Sequence, residues 1–364
     1  MMDIRGRSRD ELAEWLVSLG EPPYRARQLM RWVYRSGVAD PSAMTDLPRE
    51  LRARLTGLVQ RPDAVLQRLA AADGSVKLLL AYGDDVAVEC VLLRHGYGYT
   101  ACVSSQAGCT MGCAFCQSGR IGLIRDLTAA EMVGQVLALR RQAGGRPVNR
   151  IVVMGGGEPL ANLAHSLRFL RLSVGSDGFG ISPRRVTLST CGLVPGILSL
   201  ASEGPPVTLS VSLHAPTDQL RDQLVPINRR YPLAALLAAC RHYAQATGRR
   251  VTAEYVLAQG VNDRPEDARR LSSLTRGAIG HINLIPLNPI PGVDFKRPRD
   301  EAVVAFARQL LDRGTAVTIR RPLGMDIGGA CGQLRAAAGS VPEGTGRPAA
   351  EPGGKARESH PGDG

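Results

Sequence analysis

The sequence predicts an α/β protein in which a small N-terminal helical accessory domain precedes a parallel sheet, either doubly wound or closed into a partial (β/α)6 barrel. Three observations carry this. Strand-like and amphipathic helical stretches alternate from residue 100 to residue 321. The first 65 residues read as short helices. Polar residues and glycines collect where the predicted strands end, which is where both parallel architectures build their sites.

The elements follow in order. In the segment 1–65, Ser8 and Glu11 form a capping box ahead of Leu12, Trp15, Leu16 and Leu19 on one helical face, and Gly20 stops the helix. A second helix over 24–35 carries Arg25, Arg27, Arg31 and Arg35 among Leu29, Trp32 and Val33, and a third covers 48–58. Such a density of arginine suits contact with phosphates, although a solvated helical face would have the same composition. Residues 66–100 form a β-rich connecting segment with strand-like runs at 75–83 and 87–96. The core, 101–335, holds strand-like runs near 100–105, 150–155, 184–190, 207–214, 249–258 and 281–288, with a last one at 317–321. Helices between them have start signals: Thr128 with Glu131 is a second capping box, and Asp263 with Pro265 and Glu266 opens a later helix. Six βα units fall short of the eight of a full barrel, hence a partial one. Residues 336–364 are rich in Gly, Pro, Ala and charge, bury too little to offset ordering entropy, and are expected to be a disordered tail.

Composition narrows the function. The chain of 364 residues carries 45 Lys+Arg against 33 Asp+Glu, a formal charge of +12 that points to an anionic partner, nucleic acid first. No stretch approaches the roughly 18 apolar residues of a membrane span. The N-terminus lacks the apolar region of a secretion signal, so a cytoplasmic protein with no membrane partner is expected. Its eight cysteines are then thiols, metal ligands or redox catalysts rather than disulfide staples.

Three of those cysteines are decisive. Cys109, Cys113 and Cys116 form C-x3-C-x2-C just past the first barrel strand. A structural zinc would need a fourth ligand close by, but the next candidates, His165 and Cys191, lie in other βα units. Three thiolates and one open position suit an iron–sulfur cluster with one iron free for substrate. Around this loop the strand ends are polar. Gly155-Gly156-Gly157-Glu158-Pro159 follows the second strand, Ser189-Thr190 the third, Ser212-Leu213-His214 the fourth and Asn288 the sixth. Glycines admit close backbone approach to a ligand, Glu158 can accept from an ammonium group, and the others offer hydroxyl, imidazole and amide contacts. Cys102, seven residues before Cys109, and Cys331, in a Gly-rich segment, are thiols outside the motif and suggest covalent catalysis. Cys90, Cys191 and Cys240 read as buried or incidental.

With Phe115 in the aromatic place, the cysteine motif resembles the signature of the radical S-adenosylmethionine (SAM) superfamily. The runs CVSSQAGCTMGCAFC, MGGGEPLANL, VTLSTCGLVP, VSLHAPTDQLRDQLVPINRRY, INLIPLNPIPG and IRRPLGMDIGGACGQL, with EWLVSLGEPPYRARQL and MTDLP near the N-terminus, together resemble the RlmN/Cfr family of radical SAM RNA adenosine methyltransferases. The likeness spans roughly residues 8–335. It implies a partial (β/α)6 radical SAM barrel, one [4Fe–4S] cluster on Cys109, Cys113 and Cys116, and two SAM molecules per turnover. Gly157, Glu158, Ser189, Ser212, Leu213, His214 and Asn288 match SAM-contacting positions. Cys331 matches the methyl-carrying cysteine, Cys102 the resolving cysteine and Glu89 the proton acceptor.

The implied reaction methylates Cys331 from one SAM, uses a second to generate a radical on that methyl group, and joins it to adenine. Proton loss and attack by Cys102 on the Cys331 sulfur then release methylated RNA and leave a disulfide. The implied substrates are carbon 2 of an adenosine in 23S rRNA and of the adenosine 3′ of the anticodon in tRNA. A flavodoxin-like electron donor and a cytosolic thiol reductant would serve as partners. Two alternatives stand beside this reading: the carbon 8 reaction of the Cfr branch, which shares the catalytic residues, and a non-catalytic zinc-containing RNA-binding protein. The GEPL run and the sixth-strand loop lean toward the RlmN branch. The chain departs from the family pattern at Gly156, where Met is usual, at Cys191 in place of serine, and at Gly328-Gly329 in place of bulkier, often acidic residues.

Overall fold

The structure, a computed structural model, describes residues 2–59, 63–144, 146–288, 290, 292–334 and 336–338. Strands β1 (Ala64–Ala70), β2 (Val76–Ala81), β3 (Val86–His95) and β4 (Gly98–Val103) form an antiparallel meander. From β4 the sheet turns parallel, continuing through β7 (Val148–Val153), β8 (Val186–Thr190), β9 (Thr208–Ser212), β10 (Thr252–Leu257), β11 (His281–Pro286) and β12 (Val317–Ile319). A separate ribbon of β5 (Gln106–Gly108) and β6 (Leu123–Asp126) flanks the cysteine loop.

Parallel strands lie side by side in chain order. A doubly wound sheet reverses its order at a switch point, so sequential order selects the barrel-type winding, with the crossover helices on one face. β1 and β12 are the sheet's ends and do not pair. The barrel is therefore partial. Each crossover carries helix: α5 (Ala129–Gln142), α6 (Leu163–Val174), α7 (Val194–Glu203), α8 (Asp218–Leu224) with α9 (Leu233–Thr247), α10 (Pro265–Thr275) and α11 (Asp300–Leu311), while α4 (Gln117–Ile121) follows the cysteine loop. Six βα units and a closing strand are what the alternation predicts.

The N-terminal module contains α1 (Arg9–Ser18), α2 (Arg25–Met30), which runs into a π-helical turn, and α3 (Arg49–Leu58). Both predicted capping boxes form, with Glu11 N on Ser8 Oγ and Glu131 N on Thr128 Oγ1, each 3.2 Å. The module's Ile4, Leu12, Leu16, Leu29 and Leu51 share one continuous core with barrel residues such as Val133 and Leu188. Arg5 pairs with Asp3 beside it and reaches Asp63 ahead of β1, both at 2.6 Å. Gly134 on α5 makes room: a Cβ there would lie 2.2 Å from Asp63 Oδ2 and 2.5 Å from Arg5 Nη1. Among the described residues no helix is long and apolar enough to cross a membrane.

Several expectations need correction. β1 occupies Ala64–Ala70, so that Ala64 and Val65, at the end of the segment read as helical, join the β-rich segment through pairing with Ala81 and Leu80 of β2. Three of the four α2-region arginines are tied into the protein. Arg25 pairs with Glu21 at 2.8 Å, Arg31 with Asp46, and Arg35 bonds the carbonyls of Ser176 and Phe179. Ala336–Ala338, at the start of the expected tail, forms a strand, β13, on Val86–Val88, where β4 leaves the edge of β3 open. The rest of that tail, 339–364, lies outside the described residues.

Candidate active site

The C-terminal ends of β7–β11, the cysteine loop and the segment around Cys331 enclose one cavity. Its β7 end is built on glycine. Gly157 has φ +99°, and a Cβ there would sit 2.5 Å from Gln106 Cβ and 2.7 Å from Gln106 N. Without side chains this loop lies flat on Ser104–Gln106, with Gly156 N on Ser104 Oγ and Ser105 N on Gly156 O, each 2.8 Å.

Glu158 is buried and accepts from Leu160 N at 3.0 Å and Cys191 N at 2.7 Å. Burial raises its carboxyl pKa, and the Cys191 and Leu160 amides work in the opposite sense. It thus clips the end of β7 to the end of β8. Cys191, read from sequence as incidental, lines the cavity through this contact. Ser189 and Ser212 line it from the ends of β8 and β9, whereas Leu213 is buried behind the wall.

His214 has φ +58°, a conformation that a non-glycine residue keeps only where its surroundings hold it. Its Nδ1 accepts from Val256 N at 3.0 Å, its carbonyl accepts from Asn262 Nδ2 at 2.8 Å, and Phe115 of the cysteine motif packs edge-on at 4.6 Å. Burial pushes the imidazole down to about 3, so it is neutral, with Nε2 as the protonated nitrogen. Beneath lies fully buried Arg221, whose guanidinium donates to Cys191 O at 2.6 Å, Leu213 O and Ser212 O at 3.0 Å, and Asn228 Oδ1 at 2.9 Å. One side chain ties the ends of β8 and β9.

The cysteine loop docks on the Cys331 segment through Gln117 N on Gly332 O at 2.8 Å and Ser118 Oγ on Leu334 O at 2.9 Å. Burial pushes the Cys109 thiol up to about 12 and that of Cys113 higher, and the neighbouring Cys116 sulfur adds to both. Among the described residues no three His, Cys, Asp or Glu side chains group as ligands of a single ion. Cys109, Cys113 and Cys116 line the cavity together, a set of three thiols that fits an iron–sulfur cluster with one position left to a ligand. Asn288 donates from Nδ2 to Cys331 O at 3.2 Å, and its Oδ1 is buried with no hydrogen-bond partner. An orphaned acceptor costs free energy unless a ligand donor meets it, so this wall fits a ligand bearing N–H or O–H groups, as SAM does.

Cys331 borders this cavity and also a second, larger one of about 650 Å³, whose wall includes Cys102. Burial pushes the Cys102 thiol up to about 12; Cys331 adds to the effect, and Arg320 opposes it. The second cavity is basic and aromatic: Arg94, Arg150, Arg320 and Arg321 line it with His95 and Tyr97. His95 stacks on Tyr97 at 4.7 Å, and Arg150 lies over the same ring at 4.9 Å. Glu89 borders neither cavity. It lies on the sheet face that carries Cys102 and pairs with Lys77 at 2.9 Å. The structure thus gathers the predicted residues at one end of the barrel, with Glu89 set to the side. Sequence reasoning passed over Lys77, Arg221 and Arg320, although the Arg320-Arg321 pair at a predicted strand end was a usable signal.

Comparison with known proteins agrees with this geometry. Residues 2–60 match the ribosomal RNA large subunit methyltransferase N-terminal domain, and residues 103–271 the radical SAM superfamily. The chain is 51% identical over 349 residues to a probable dual-specificity RNA methyltransferase RlmN of Moorella thermoacetica, covering 93% of this chain and 99% of that one. A relative of the same name in Desulforudis audaxviator is 52% identical over 309 residues, covering 84% and 97%. The crystal structure of a radical SAM methyltransferase from Sphaerobacter thermophilus superposes with a TM-score of 0.89 at 47% identity, covering 92% and 99%.

Proposed function

The chain belongs to the RlmN family of radical SAM RNA methyltransferases, and on that premise we propose that it methylates carbon 2 of one adenosine in 23S rRNA and of the adenosine 3′ of the anticodon in tRNA. The observation that carries this reading is the position of Cys331 on the wall shared by two cavities, one beside the cysteine loop, the other basic and bordered by Cys102.

Cys109, Cys113 and Cys116 hold a [4Fe–4S] cluster, while Gly157, Glu158, Ser189, Ser212, Leu213, His214 and Asn288 position SAM or shape its pocket. When bound, the cluster and two SAM molecules supply the methyl group and the 5′-deoxyadenosyl radical. The residues of the chain do the rest. Cys331 carries the methyl carbon on its sulfur and is the point at which enzyme and adenine are joined. Glu89 takes the proton released from carbon 2. Cys102 attacks the Cys331 sulfur as a thiolate, so that an S–S bond replaces the sulfur–carbon bond, and the carbon leaves with the bonding pair and takes up a proton to become the methyl group of the RNA. The burial of Cys102 shields that step from stray thiols. A thiol reductant then resets the pair and a flavodoxin-like donor supplies electrons, which places the enzyme in the cytoplasm.

On the RNA side, the adenosine leaves its stack to reach Cys331 through the basic cavity. Arg94, Arg150 and Arg321 suit phosphate, and the His95–Tyr97 plate suits a base or ribose. Peptide mass spectrometry of the anaerobically reconstituted enzyme with SAM tests the assignment. S-methylation at Cys331, and loss of all RNA methylation in Cys331→Ala, are expected; a methyl group on another cysteine would refute it.

A further inference from the structure

The antiparallel strands β1–β3 lie outside the parallel barrel yet hold its catalytic loop. Gly324 N donates to Asp73 Oδ2 at 2.8 Å and Ala72 N to Asp326 Oδ2 at 2.9 Å, so the β1–β2 turn grips the segment ahead of Cys331. The third tether is Lys77 on β2. Lys77 pairs with Val91, Val91 with Cys102 and Cys102 with Val152, a single row across four strands. Directly paired residues share a face, and so do residues two apart on one strand. Lys77, Glu89 and Cys102 therefore project to the same side. There the Lys77 ammonium donates to Glu89 Oε1 at 2.9 Å and to the Gly328 carbonyl at 3.3 Å. Gly328 stands three residues before Cys331 and has φ +60°.

We propose that Lys77 is a positioning residue for the methyl transfer, holding the Glu89 carboxylate and the Cys331 loop in fixed relation through one ammonium group. This rests on the reading of Glu89 as the proton acceptor. Lysine offers three donors and no acceptor, so it can serve two oxygens on separate segments at once. A buried ion pair is a poor device for stability alone, because apolar residues of similar size do as well. Its use here is geometric. With the ammonium removed, the Glu89 charge is buried without this counter-charge, and the loop loses one of the tethers that hold the segment ahead of Cys331.

The test separates steps that need the base from those that do not. Reconstituted Lys77→Met, Lys77→Arg and Glu89→Gln enzymes are given SAM, reductant and a tRNA substrate. Cys331 methylation is read by peptide mass spectrometry, the protein–RNA adduct on denaturing gels, and methyladenosine by nucleoside analysis. Lys77→Met is expected to keep Cys331 methylation, lose RNA product by roughly 10- to 100-fold, the worth of a hydrogen bond to a charged group, and accumulate adduct as Glu89→Gln does. Lys77→Arg restores part of the product. Wild-type turnover in Lys77→Met, with adduct in Glu89→Gln, would overturn the role of Lys77 alone. Adduct-free turnover in Glu89→Gln would overturn the reading of Glu89. Loss of Cys331 methylation in step with RNA product in both Lys77 variants would make the residue structural and overturn the proposal.

Discussion

Arg221→Met measures how far the SAM-side wall depends on one buried cation. The side chain is fully buried and supplies four hydrogen bonds, to Cys191 O, Ser212 O, Leu213 O and Asn228 Oδ1. Methionine fills comparable volume but donates nothing. Each buried acceptor left without a donor costs about 1–3 kcal/mol. Leu213 O keeps a second donor in Ala215 N at 2.8 Å, so its share is small. The remaining three acceptors, after local relaxation, give a net loss of about 3–5 kcal/mol. For a chain of this length that lowers Tm by about 4–7 °C. The ends of β8 and β9 carry Ser189, Ser212 and His214, so SAM affinity should fall by at least about tenfold, or 1.4 kcal/mol. Calorimetry and equilibrium SAM binding read the two effects. Arg221→Lys should rescue neither, because an ammonium cannot span three carbonyls as the planar fork does. A Tm within about 1 °C of wild type, with unchanged SAM binding, would show that Arg221 does not hold this wall.

Other consequences follow from the same geometry. Cys102→Ala leaves Cys331 without a resolving thiol, so a protein–RNA adduct should accumulate on denaturing gels, and free turnover would remove Cys102 from the reaction. Burial pushes the wild-type Cys102 thiol up to about 12, so its reactive thiolate is scarce near neutrality. Adduct resolution in a single turnover should accelerate about tenfold per pH unit between roughly pH 7 and 9, and a flat profile would contradict that. Arg5→Ala strands Asp63, whose side chain is 4% exposed, and should cost about 3–5 kcal/mol in a denaturant melt. A loss below about 1 kcal/mol would show the junction to be wet.

Much of the barrel was legible because each parallel strand is a short apolar run bounded by turn residues and followed by an amphipathic helix. Both capping boxes were legible too, being local by nature. The start of β1 was not, because Ala64 and Val65 join the strand only through pairing with β2, and the β5–β6 ribbon, of three and four residues, is too short to leave a period. The site divides in the same way. The cysteine motif and the polar strand ends sit at fixed spacings and could be read directly. Lys77 meets Gly328 across 251 positions, and Arg221 acts through carbonyls that have no side-chain signature. Such contacts exist only after folding. Arginine counts are blind to such contacts as well: Arg25, Arg31 and Arg35 have partners within the chain, and the basic cavity wall is assembled from distant Arg94, Arg150 and Arg321.

The most direct test of the account is nucleoside mass spectrometry after anaerobic reaction of the reconstituted enzyme with SAM, reductant, and separate rRNA-fragment and tRNA substrates. 2-Methyladenosine from both substrates is the predicted result. 8-Methyladenosine, or no methylated adenosine from an enzyme that cleaves SAM, would contradict the account.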